Sequence, residues 1–278
     1  MEGTPNLRLV FAKEGGGTIL AESFSRMPFH VFPPFHEQDD GCAYTYVVNP
    51  TPGFLGGDRA DLEIILRPGS HAFITAPSAT KILNTGRDRA EQTVRIHIAD
   101  KAVLEYVPPY VIPFAGSRFR QNTRVQMEKT SRCLLVDWFS TGRVSRGESL
   151  AFEEYDNSTV VACDGEPIIF DRFVLLPADE DYSVSGRLES YTLSACLYFI
   201  NGGSPLPKPL MESIRGLARD GDVLAGVSTL DTDGLVMRIM GRNVPSVQKV
   251  LVRVIGLIRR SVLDIENDRI LDRLLVTL

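Results

Sequence analysis

Leu62-Glu63-Ile64-Ile65-Leu66 runs through Pro68-Gly69-Ser70 into Ala72-Phe73-Ile74-Thr75. Val94-Arg95-Ile96-His97-Ile98 runs through Asp100-Lys101 into Ala102-Val103-Leu104-Glu105. Val125-Gln126-Met127 runs through Lys129-Thr130-Ser131 into Cys133-Leu134-Leu135-Val136. Each unit reads as a strand, a tight turn and a strand, with apolar residues at period two. Ala72, Ala102 and Cys133 are equivalent points, 30 and 31 residues apart. A single two-stranded unit cannot bury its own face, whereas stacked units can. The stretch therefore predicts a mainly β fold of layered strands resembling a short β-solenoid. Ordinary hairpins that recur by chance are the alternative reading.

Outward from this block the strand pattern continues. Leu7–Ala12 and Thr18–Phe24 flank Glu14-Gly15-Gly16-Gly17, a turn able to supply positive φ angles. Further strands are expected at Leu150–Tyr155, Thr159–Cys163, Pro167–Leu176, Tyr191–Ile200 and Leu235–Met240. Near the C-terminus the period changes. Leu210, Ile214 and Leu217 have helical spacing, with Pro209 near the start and Gly221 beyond the end, so a helix is expected near 207–220. Val247, Val250, Leu251, Val254, Ile255, Ile258 and Val262 trace the apolar stripe of a second, amphipathic helix near 244–263. Asn243 and Pro245 suit its N-terminus. No low-complexity linker intervenes, so residues 1–278 read as one β-rich domain carrying two helices.

Composition narrows the class of function. The chain has 278 residues, 44% of them hydrophobic, enough for a sizeable core. Lys plus Arg is 30 and Asp plus Glu is 35, a net charge of −5, which offers no general attraction to nucleic acid or an anionic membrane. The start, MEGTPNLRLVFAKEGGG, lacks a basic segment followed by an apolar one, so a cytoplasmic location is expected. Cys42, Cys133, Cys163 and Cys196 form no CxxC pair and read as free thiols. No nucleotide-binding glycine loop and no G-x-S-x-G elbow is present. Asp231-Thr232-Asp233-Gly234 begins like a calcium loop but has the wrong spacing, and reads as a turn between strands.

Three segments are not generic. Asn49-Pro50-Thr51-Pro52-Gly53-Phe54-Leu55-Gly56-Gly57-Asp58-Arg59 fixes a tight path that ends on an acid and a base. Asp58 either caps local amides or presents a carboxylate. Thr75-Ala76-Pro77-Ser78-Ala79-Thr80-Lys81 places hydroxyls and a lysine after a strand, as a surface loop or as the lining of a polar passage. Asp137-Trp138-Phe139-Ser140-Thr141-Gly142-Arg143-Val144-Ser145-Arg146-Gly147-Glu148 carries acids and bases, with Arg143 or Arg146 pairing to Asp137 or Glu148 as the default.

In order, these segments resemble the UreD family of urease accessory proteins (UreH in some bacteria). The family pattern runs N/H-P-x-G-G-x-x-G-G-D, then T-T-x-x-x-T/S-K, then L-E-x-x-P-x-x-x-x-F, then E-x-x-x-x-G-R-x-x-x-G-E and a D-R strand. This chain has Gly56-Gly57-Asp58, Thr75 with Thr80-Lys81, Leu104-Glu105 with Pro108 and Phe114, Asp137, Gly142-Arg143, Gly147-Glu148 and Asp171-Arg172. It departs in having Thr75-Ala76 for T-T, Asp137 where Glu is commoner, and Phe54-Leu55 where smaller residues are usual.

The resemblance implies a non-enzymatic maturation scaffold. Such a protein binds a helical partner of the UreF type, a GTPase of the UreG type and apo-urease, in an assembly that can be dimeric, and helps deliver nickel. It implies no cofactor of its own, with GTP held by the GTPase and nickel met only transiently. The absence of a His/Cys cage agrees, because carboxylate and hydroxyl oxygens hold Ni²⁺ weakly. The mechanistic expectation is a polar passage lined by Asp58, Asp137 and Glu148 as transient nickel contacts, with Thr75, Ser78 and Lys81 beside them. His30, His36 and the cysteines are secondary candidates for nickel contact. Two rival readings remain: a hydrolase that uses Asp58, Asp137 and Glu148 as acid and base, and a binding module with no metal role.

Overall fold

The computed structural model describes residues 4–36, 40–217, 223–266 and 271. The chain opens with the hairpin β1 (Leu7–Glu14) and β2 (Gly17–Ser25), followed by the short β3 (His30–Val31) and β4 (Ala43–Val48). Two stacked coils follow. The first is β5 (Arg59–Leu66), β6 (His71–Thr75) and β7 (Thr80–Ile82). The second is β8 (Ala90–Ile98), β9 (Val103–Val107) and β10 (Val111–Pro113). A third layer supplies β11 (Arg118–Met127) and β12 (Arg132–Ser140), and a fourth supplies β13 (Glu154–Cys163). Then come β14 (Glu166–Leu175), β15 (Leu193–Asn201), α1 (Lys208–Leu217), β16 (Val223–Leu230), β17 (Gly234–Gly241) and α2 (Val244–Val262).

The expected solenoid-like stacking is present. β1, β5, β8, β11 and β13 pair in parallel along one sheet, whose order is β14-β13-β11-β8-β5-β1-β2. The facing sheet runs β16-β17-β15-β12-β9-β6-β4-β3, parallel from β4 to β12 and antiparallel beyond it. The short β7 and β10 pair in parallel to make a third face. Alternation divides the second sheet cleanly. In β12, Cys133, Leu135 and Phe139 enter the core between the sheets, while Leu134, Val136 and Trp138 enter the core beneath the helices.

Several expectations need correction. The repeat phase shifts by two residues in the middle coil, because Ala72 lies beside Leu104, and Leu104 beside Cys133. A shift of two keeps every side chain on its own face, so the period-two reading survives it. The strands expected at Leu150–Tyr155 and Thr159–Cys163 are one strand, β13. Asp156-Asn157-Ser158 looks like turn chemistry but lies inside the ladder, where ten residues of β11 pair with it in register. Leu150 has φ 55° and belongs to a connection held by its N–H on the Thr141 carbonyl at 2.6 Å. β4 and β16 were not expected, and β8 and β11 begin earlier than their apolar ends suggest.

The helices follow their sequence pattern. The Asn243 side chain caps α2 by accepting from Ser246 N–H at 2.9 Å, with Pro245 in its first turn. Val247, Leu251, Val254, Ile255 and Ile258 are all buried against the second sheet. α1 matches its expected start, while its expected end near 220 lies outside the described residues. Asp231-Thr232-Asp233 is the turn between β16 and β17. All four cysteines are free thiols. No described helix is long and apolar enough to cross a membrane.

Candidate functional site

Parallel stacking places equivalent residues of successive coils side by side. One such row holds Ala60, Gln92, Gln121 and Asn157, and the next holds Leu62, Val94, Thr123, Thr159 and Asp171. These residues occupy core-facing slots of the first sheet. The rows therefore change from apolar at β5 to polar at β13. On the facing sheet the row Asp137, Cys196 and Arg238 lies opposite them.

Hydrogen bonds join the two sheets at this level. Gln92 Nε2 donates to Gln121 Oε1 at 3.5 Å, and Gln121 Nε2 donates to Asp137 Oδ1 at 3.4 Å. Asn157 Nδ2 and Thr159 Oγ1 both donate to Asp137 Oδ2. Asp171 Oδ2 accepts from Tyr198 at 2.7 Å and from Arg238 at 2.6 Å. Asp137 thus has amide and hydroxyl donors but, among the described residues, no ion pair. Burial pushes its carboxyl up to about 6, against the donation from Asn157 and with a further push from the Asp171 charge.

Three cavities lie along this polar layer. The first, about 80 Å³, is lined by Thr75, Ser78, Thr80, Lys81 and Gln92. A narrow one of about 20 Å³ shares Thr80 and Gln92 with it and adds Gln121, Thr123 and Asp137. The widest, about 620 Å³, shares Asp137 and adds Asn157, Thr159, Asp171, Tyr198 and Arg238. Thr75 Oγ1 and Asn157 Oδ1, in the first and last cavities, are buried oxygens without a hydrogen-bond partner. Oxygens of this kind suit a partly hydrated hard or borderline cation better than an apolar guest.

The structure divides the sequence candidates. Thr75, Ser78, Lys81 and Asp137 line the cavities, together with Thr80 and Asp171. Asp58 does not: it is exposed, and its Oδ2 accepts from Leu55 N–H at 2.7 Å. Glu148 does not either: it pairs with Arg143 (Nε to Oε2, 2.7 Å), whose guanidinium lies 4.2 Å from the Phe114 ring centroid. Asp58, Asp137 and Glu148 share no partner and line no common cavity, so no acid–base pair is assembled from them. His36 Nε2 lies 2.7 Å from the Thr18 carbonyl, and His30 packs edge-on against Phe32.

The glycines of the motifs are packing devices. A Cβ on Gly56 would lie 2.2 Å from the Thr85 carbonyl oxygen, and one on Gly142 would lie 2.8 Å from the Glu148 carbonyl oxygen. Gly57 and Gly147 have positive φ angles of 85° and 76°. Arg172 points away from the cavities and pairs with Asp156 at 3.1 Å.

Sequence reasoning missed Gln92, Gln121, Asn157, Tyr198 and Arg238. A signal existed for the first three: each is a polar residue in a period-two core slot, at corresponding points of successive coils.

A family model described as UreD urease accessory protein matches residues 3–270. The chain is 29% identical over 261 residues to a urease accessory protein UreD of Microcystis aeruginosa, covering 94% of this chain and 95% of that one. It is 32% identical over 211 residues to that of Deinococcus radiodurans, covering 76% and 75%. It is 27% identical over 259 residues to that of Actinomyces naeslundii, covering 93% and 95%. The chain belongs to the UreD urease accessory protein family.

Proposed function

We propose that this protein is a non-catalytic scaffold of urease maturation, and that nickel crosses it along the three polar cavities on its way to apo-urease. One observation carries the reading: the interior line from Thr75 to Asp171, with the unpaired carboxylate of Asp137 at its centre. A carboxylate kept only for stability would be paired with a base, because an uncompensated interior charge is costly. Asp137 instead has neutral donors that can rotate or exchange. Nickel is the cargo. Amide, hydroxyl and carboxylate oxygens replace part of its hydration shell where the path narrows to about 20 Å³, roughly the space of one water. Such oxygens bind Ni²⁺ weakly enough to release it. GTP and its hydrolysis belong to a UreG-type partner, attached through a helical UreF-type protein.

The test is co-expression with urease and the partner proteins, followed by measurement of nickel per urease active site. Asp137→Leu and Gln121→Phe, which remove the central ligand and fill the neck, are expected to assemble normally and leave urease largely nickel-free. Asp58→Ala and Glu148→Ala, outside the line, are expected to deliver nickel normally. Full nickel content with both Asp137→Leu and Gln121→Phe overturns the path.

A further inference from the structure

On the opposite face of the second sheet, beneath α2, a different group of side chains converges. Cys42 precedes β4, His71 begins β6 and Glu105 lies in β9, three neighbouring strands. Their ligand atoms, Sγ, an imidazole nitrogen and a carboxylate oxygen, all lie within 4.8 Å of one another. His71 Nε2 donates to Glu105 Oε1 at 2.9 Å. Arg259 Nη1 donates to Oε1 at 2.9 Å and to Oε2 at 3.1 Å. Arg259 Nη2 donates to Tyr44, and Tyr44 donates in turn to Asp40. Cys42 and Glu105 are fully buried, while the His71 side chain keeps 14% exposure and so opens the group to solvent.

We propose that Cys42, His71 and Glu105 form a binding site for a single thiophilic divalent cation of the zinc class, separate from the interior cavities. Geometry supports this. Zinc bonds of about 2.0–2.2 Å to nitrogen and oxygen at tetrahedral angles place those ligands roughly 3.3 Å apart. The His71–Glu105 separation of 2.9 Å lies within a few tenths of an ångström of that edge, and the Cys42 sulfur lies within 4.8 Å of both ligand atoms. The cation takes Glu105 Oε1, while Oε2 keeps its contact with Arg259. One proton, from the thiol, leaves to solvent. The imidazole proton moves from Nε2 to Nδ1, which frees Nε2 to coordinate. Solvent reaching past His71 supplies the fourth ligand.

The experiment uses the full chain stripped of metal. Zn²⁺ is titrated against a chromophoric chelator, and Co²⁺ serves as a spectroscopic probe. One Zn²⁺ per chain is expected, together with a near-ultraviolet thiolate-to-cobalt absorption. Cys42→Ser should abolish that absorption. His71→Ala, at the partly exposed ligand, should weaken Zn²⁺ at least tenfold while the circular dichroism stays unchanged. If Cys42→Ser fails to fold, the His71→Ala titration decides alone. The proposal is overturned if wild-type protein shows no thiolate-to-cobalt band in excess Co²⁺, or if His71→Ala binds Zn²⁺ as tightly as wild type.

Discussion

Asp137→Asn separates a transport role from a structural one, because the two roles predict opposite changes in stability. The Asp137 carboxyl titrates near 6 in the folded chain against 3.8 for an ordinary aspartate. A folded-state value above the unfolded one means that the fold favours the protonated form. That contribution is complete below about pH 3.8 and is lost as pH rises through about 6. In full it amounts to about 3 kcal/mol, since each tenfold change in proton affinity is worth about 1.4 kcal/mol. At pH 5 about 1.4 kcal/mol of it remains, and at pH 7.5 almost none. Wild-type protein should therefore lose up to about 1.4 kcal/mol between these pH values that the Asn variant does not lose, with cavity water trimming the figure. Near neutral pH the variant should be the more stable chain. Urea unfolding at both pH values reads the difference, and nickel content of co-expressed urease reads delivery. The reasoning is refuted if the stabilities of the two chains run parallel with pH, or if the Asn variant is less stable at pH 7.5 and still delivers nickel fully.

Other outcomes follow from neighbouring features. Glu105→Gln, measured with chelator present, removes the carboxylate facing the fully buried Arg259 and should cost about 3–5 kcal/mol, or roughly 6–15 °C in melting temperature. Glu105→Leu combined with Arg259→Met should recover most of that loss, whereas strictly additive losses would contradict the pairing. Burial would push the Glu105 carboxyl up, but Arg259 and His71 override it and hold it below the usual range. Its stabilisation is therefore present above about pH 4.5 and fades on acidification through the lower folded value, seen as a flattened acid limb in the Gln variant. Gly56→Ala places a methyl against the Thr85 carbonyl and should cost about 1–3 kcal/mol by urea unfolding, while Asp58→Ala beside it changes far less.

The fold was legible where apolar residues carried the period. α2 has seven apolar positions on one stripe and was placed to within one residue. β5, β6, β9 and β12 were legible for the same reason. β8 and β11 read short in the sequence because Gln92, Gln121 and Thr123 stand where hydrophobes mark a core face. β13 reads as two strands in the sequence because Asp156 and Asn157 carry turn chemistry, although Asp156 is held by Arg120 and Arg172, and Asn157 by Asp137. The candidate site was half legible. Thr75 and Ser78 stand in one motif and line one cavity, and Asp137 from another motif lines the next two, but Glu148 of that same motif and Asp58 of a third serve loops instead. The Glu105–Arg259 pair spans 154 residues of chain, and nothing local announces it.

Glu105 and Asp137 make the strongest internal comparison. Both sit on buried strands of the same sheet, with opposite facing. Glu105 faces the helices and meets a guanidinium at 2.9 Å, and its carboxyl is held down. Asp137 faces the other sheet, meets only amides and hydroxyls, and its carboxyl is raised. A base was available for it nearby, because Arg238 stands in the same row, yet Arg238 is engaged by Asp171. Among Asp137, Asp171 and Arg238, two acids and one base leave a negative charge over, placed where the narrow and the widest cavities meet. A purely structural layer gains nothing from that surplus, since an amide in place of Asp137 would still accept a hydrogen bond without the cost of burying charge. A layer that admits a divalent cation needs it, because the surplus charge is what an arriving cation neutralises.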